Sequence, residues 1–73
     1  MSRAVLIDEQ IAGLVSERRS SMGIVKADMA RHLGMSRQSY QLLEDGKTAF
    51  TVSTLVQIAR KLKVDPRVLI PES

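Results

Sequence analysis

Residues 24–46 read IVKADMARHLGMSRQSYQLLEDG, and the meaning of the stretch turns on four residues near its middle, Leu33-Gly34-Met35-Ser36. Val25, Met29, Ala30 and Leu33 recur at the spacing of one helix face. Gly34 comes directly after, and glycine tolerates the left-handed backbone in which helices commonly end. Ser36, two positions on, can cap a new helix by accepting a backbone N–H. Tyr40 and Leu43 then face inward from that helix, which ends near Asp45-Gly46. Two short helices joined by Gly34-Met35-Ser36 must cross steeply, the geometry of a helix-turn-helix. A small residue, Ala30, stands where the two helices pass closest.

Upstream, Ile7, Ile11, Leu14 and Val15 form one amphipathic stripe. This predicts a first helix from about Asp8 to Arg19, with Asp8 and Glu9 at its positive end and Arg18 and Arg19 at its negative end. Ser20–Gly23 breaks the pattern. Downstream, Lys47–Phe50 reads as a loop. Thr51 caps a fourth helix with the stripe Val52, Leu55, Ile58, Ala59 and Leu62. Asp65-Pro66 joins a capping carboxylate to a proline at the first helical position, which predicts a fifth helix through Val68, Leu69 and Ile70, closed by Pro71. The expected fold is all-α: a compact five-helix bundle, one domain over residues 1–73 with its core in residues 8–70. No strand signal, repeat or low-complexity segment interrupts it.

The chain has 73 residues, 44% hydrophobic and 26% charged, with one Tyr, one Phe and no Trp. Its core must therefore be aliphatic. Domains of this size often need a disulfide, a metal or a partner; with no Cys and one His, self-association is the remaining route. The opening apolar run, Ala4–Ile7, is too short for a signal peptide or a membrane span. A cytoplasmic protein with no membrane partner is expected. The net charge of +3 permits binding to phosphate but does not single it out.

Taken together, Ala30, the Leu33–Ser36 turn, Leu43-Glu44-Asp45-Gly46-Lys47, and the run from Thr54-Leu55 through Ile58-Ala59-Arg60-Lys61-Leu62 to Val64-Asp65 resemble the phage-repressor-like (Xre/Cro-type) helix-turn-helix transcriptional regulators. The resemblance spans roughly Asp8 to Ile70. It implies a lambda-repressor-like DNA-binding domain whose third helix enters the major groove of double-stranded DNA. It places base readers at Arg37, Gln38, Gln41 and Leu42. Arginine can pair twice with guanine and glutamine with adenine, while Leu42 can meet a thymine methyl; burial or a dimer contact is an equal reading for Leu42. Ordinary solvation is the competing reading for Arg37, Gln38 and Gln41.

Phosphate contacts are expected from Lys26, Ser36, Ser39, Tyr40, Lys47 and Thr48. Lys26 stands where relatives often carry Gln, and Tyr40 where they usually bury an aliphatic residue. Asp45 departs from the Asn or Arg of many relatives and cannot donate to phosphate, so it reads as part of the turn with Gly46. The resemblance also implies a structural salt bridge between Arg19 and Glu44.

Other functions are weaker readings. His32 is expected at the surface. Neither a metal site nor a cofactor is suggested, and Asp28 and Glu44 have no nucleophile beside them, so the chain is not expected to be an enzyme. The stronger rival is an antitoxin or an interaction adaptor on the same fold, with a toxin or another protein as partner. For a repressor on an inverted-repeat operator, a homodimer is expected through Val68, Leu69 and Ile70. The alternative interface is Ala4, Val5 and Leu6, and the plainer reading is that both groups simply cover the core.

Overall fold

Ala4–Ile7 contains neither Gly nor Pro, so nothing stops the first helix from extending backwards past Asp8. In the computed structural model, which describes the backbone of residues 3–71 and the side chains of residues 7–71, helix α1 spans Arg3–Ser21. Asp8 and Glu9 consequently lie beyond its first turn, which carries no acid. Ile11, Ala12 and Val15 are buried, whereas Ile7 is exposed.

Helix α2 spans Lys26–Leu33 and starts without a side-chain cap, because Val25 occupies the capping position. It ends as the sequence anticipates. Gly34 adopts φ 70°, and the N–H groups of Gly34 and Met35 donate to the carbonyls of Arg31 and Ala30. Helix α3 spans Arg37–Glu44, and Ser36 Oγ accepts the Ser39 N–H at 3.0 Å. Helix α4 spans Val52–Leu62, and Thr51 Oγ1 accepts the Thr54 N–H at 3.0 Å. Lys63 closes α4 in the left-handed conformation, φ 58°, which costs a residue bearing a Cβ about 1–2 kcal/mol.

The expected fifth helix is a single 3-10 turn, Pro66–Leu69, capped by Asp65. The bundle therefore has four α-helices among the described residues. Ile70 is extended, with φ −107° and ψ 123°, and Pro71 has no N–H with which to continue the turn.

Val15, Met29, Tyr40, Ile58, Leu62 and Leu69 are the largest fully buried side chains. They join α1, both helices of the motif, α4 and the final turn into one core. Val25 and Val52, assigned to apolar stripes by spacing, instead face outward at helix starts, 57% and 79% exposed. Helix α2 lies between α3 and α4, while α1 packs against α3, α4 and the final turn. Helix α3 packs on α1 and α2, and its backbone does not approach that of α4 among the described residues. Its outer side is thereby left open. No helix of the described residues is long and apolar enough to cross a membrane.

Candidate nucleic-acid interface

The seating of α3 begins at its far end. Arg19 Nε donates to Glu44 Oε2 at 2.6 Å and Nη2 to Oε1 at 3.1 Å, while Nη1 donates to the Ile24 carbonyl at 2.7 Å. The fork matches the carboxylate at both oxygens. It also ties the turn between α1 and α2 to the last residue of α3. The Arg19 and Glu44 side chains are only 10% and 3% exposed. Burial is the largest single influence and pushes the Glu44 carboxyl upward, but the hydrogen bonds and charge of Arg19, together with the neighbouring Tyr40 and Ser16 hydroxyls, outweigh it and hold the group below the usual carboxylate value. The same bonds raise the Arg19 guanidinium.

Tyr40 lies beside this pair, fully buried, and no partner meets its hydroxyl. Burial, reinforced by the Glu44 carboxylate, drives the phenol well above its ordinary range. Tyr40 is thus removed from the candidate phosphate contacts: a buried hydroxyl cannot reach a duplex.

The turn after α3 is pinned as well. Gly46 has φ 71°, and a Cβ there would stand 2.9 Å from Glu9 Cγ and 3.2 Å from Glu9 Cα. Only glycine lets this turn lie against α1. Two contacts with α1 therefore fix the C-terminal end of α3 and the turn after it, a constraint the sequence signalled only through Glu44 and Gly46.

At the opposite end, Arg37 and Gln38 are exposed on the first turn of α3, with no hydrogen-bond partner among the described residues. Ser36 and Ser39 are also exposed, and Ser36 Oγ donates to Ser39 Oγ at 2.9 Å while capping the helix. Lys47 and Thr48 are exposed on the loop after α3. Leu42 is 39% exposed, which removes it from the core. A shallow depression lined by Arg19, Val25, Lys26, Ala27 and Arg37 joins the start of α2 to the start of α3. Cationic side chains and two positive helix ends thus converge on one side of the molecule, an arrangement suited to phosphate.

Gln41 has a different setting from Arg37 and Gln38. It is half-buried, accepting from Lys26 Nζ at 2.8 Å and donating to Asp45 Oδ1 at 2.8 Å.

Elsewhere, His32 is exposed, and its Nε2 lies 2.9 Å from the Gln57 carbonyl on α4. At the C-terminal face Val68 and Ile70 are 39% and 51% exposed, but Leu69 is fully buried. Leu69 belongs to the core and is withdrawn from the expected interface. Ala4, Val5 and Leu6 lie outside the residues whose side chains are described.

The pattern of residues agrees with this geometry. The family model described as helix-turn-helix (HTH_3) matches residues 15–69, from the middle of α1 to the end of the final turn. The chain belongs to this helix-turn-helix family. Its members include phage-repressor-like transcriptional regulators, and the all-helical fold is theirs.

Several solved structures share this fold. It is 27% identical to an HTH_3 family transcriptional regulator from Vibrio cholerae, with a TM-score of 0.80 over 90% of this chain and 37% of that one. It therefore spans little more than a third of that regulator. The restriction-modification controller protein C.AhdI from Aeromonas hydrophila shares the fold at 21% identity, with a TM-score of 0.80, 86% of this chain and 96% of that one being covered. Hydroxypropylphosphonic acid epoxidase from S. wedmorenis is similar at 26% identity and TM-score 0.81, over 89% of this chain and 35% of the enzyme. No curated protein matches the chain.

Proposed function

We propose that the chain is a sequence-specific DNA-binding regulator that presents the start of α3 to the major groove. The observation carrying this reading is the exposure of Arg37 and Gln38 at the capped end of a helix whose other end is locked by Arg19–Glu44 and Gly46. A pre-positioned helix loses little further conformational entropy on binding. Arg37 then reads guanine and Gln38 adenine, each good pairing contributing about 1–3 kcal/mol of discrimination. Leu42, one turn along, meets a thymine methyl. Lys26, Ser36, Ser39, Lys47 and Thr48 contact phosphates, fixing register without reading sequence.

The same reading makes the protein a homodimeric repressor on an inverted-repeat operator, acting by occupying DNA that RNA polymerase needs. A lone copy reads too few bases to bind tightly, and dimers of this fold reach half-sites about 34–36 Å apart. Val68 and Ile70 are the apolar residues exposed for that contact. The reading is non-catalytic: Glu44 is held by Arg19 and His32 lies against a backbone carbonyl, so both serve the fold. Selection of bound duplexes from a random pool tests the proposal. A recovered inverted repeat is expected; recovery of unselected sequence would overturn it.

A further inference from the structure

Lys26 stands at the first position of α2, the positive end of a helix, in a depression it shares with Arg19 and Arg37. That is an unfavourable place for an ammonium, and an unrestrained lysine there would swing into solvent. It is held instead. Its Nζ donates to Gln41 Oε1 at 2.8 Å, across from α2 to α3, and Gln41 Nε2 donates to Asp45 Oδ1 at 2.8 Å. The direction of this chain is dictated by chemistry: an ammonium can only donate and a carboxylate can only accept. The Gln41 amide therefore has one orientation, with its oxygen toward Lys26.

We infer that Gln41 is a positioning residue for Lys26, oriented by Asp45, rather than a reader of base edges. Reading adenine requires both ends of the amide, and here both ends are engaged. The arrangement holds one cation ready at the start of α2 and ties it to the C-terminal end of α3. It also gives a role to Asp45, whose carboxylate cannot donate to phosphate.

The inference rests on the DNA-binding reading, and the test separates the two. Gln41→Ala is expected to weaken binding of the selected duplex about three- to tenfold, the net worth of one solvent-accessible hydrogen bond, with the base preference unchanged. In a Lys26→Ala background the same substitution should have almost no further effect. A shift in base preference at one position, or an undiminished loss in that background, would overturn the proposal. If the parent protein selects no sequence, the functional reading fails instead. The free protein supplies an arm that needs no DNA. The Gln41 side-chain amide resonances should move and exchange faster with water in both Lys26→Ala and Asp45→Ala; unmoved resonances would overturn the inference.

Discussion

Replacing Gly46 by alanine tests how firmly α1 positions α3. Three glycines supply a graded series. At Gly13, inside α1, an added Cβ meets nothing within 4 Å, and removing a helical glycine stabilises by about 0.5–1 kcal/mol. At Gly34 the space is also open, but φ is 70°. The left-handed backbone costs alanine about 1–2 kcal/mol, offset by about 0.4–1 kcal/mol from the stiffer unfolded chain. The net loss should be about 1 kcal/mol.

Gly46 has nearly the same φ and adds the contact with Glu9. The Glu9 side chain can move aside, but its Cα, 3.2 Å away, belongs to the backbone of α1. Overpacking of this kind raises the net loss to about 2–3 kcal/mol. For a domain of this size that lowers Tm by about 10–20 °C. Thermal unfolding followed by circular dichroism reads all three variants. The order expected is Gly13→Ala above the parent, Gly34→Ala below it and Gly46→Ala lowest. If Gly46→Ala melts with or above Gly34→Ala, the contact with α1 does not constrain the turn and the reasoning is wrong.

Four other outcomes are expected. Glu44→Ala leaves the Arg19 charge buried and unpaired, which should cost about 3–5 kcal/mol in denaturant unfolding; a loss below about 1 kcal/mol would contradict a buried pair. Because the folded-state Glu44 carboxyl lies below its ordinary value of 4.5, its stabilisation is present above that pH and lost as the pH falls through the folded value. Acid unfolding of Glu44→Gln should accordingly be less steep than that of the parent, and equal slopes would contradict the shift. Lys63→Gly relieves the left-handed cap of α4 and should raise stability by about 0.5–1 kcal/mol in the same denaturant assay; a loss of stability would show that the cap is not strained. Val68→Asp combined with Ile70→Asp should produce a monomer by sedimentation while leaving the far-ultraviolet spectrum intact, since both side chains are exposed; an unchanged sedimentation coefficient would remove this face as the interface.

The central turn was legible because its signals are local. Gly34 and Ser36 announce a left-handed stop and a cap within three positions, and the backbone obeys both. Thr51 is equally plain. The start of α1 was hidden because no capping residue or breaker marks it between Ala4 and Ile7, and its stripe is diluted by Ala12 and Gly13. Asp65-Pro66 correctly marked an N-terminus, but a start signal carries no length, and Pro71 restricts the new element to one turn.

At the candidate site, exposure of Arg37 and Gln38 agrees with their placement off the face that carries the buried Tyr40 and Leu43. The burial of Tyr40 agrees with its inward spacing beside Leu43 and decides against its phosphate role, whereas the burial of Leu69 removes it from the expected interface, and three consecutive apolar residues give no spacing that tells which of them turns inward. The engagement of Gln41 joins it to Lys26, 15 positions away, and to Asp45, 4 positions away. The bond to Asp45 lies at ordinary helical spacing, but the bond to Lys26 depends on how α2 and α3 cross. Lys63, a left-handed residue with a side chain, gave no signal at all.

Selection from a random duplex pool, run in parallel on the parent protein and on Arg37→Ala, bears most directly on the idea that the start of α3 reads bases. The parent is predicted to recover an inverted repeat, and the variant the same repeat relaxed at one symmetrical pair of positions. Identical base preferences for the two proteins would contradict base reading by Arg37.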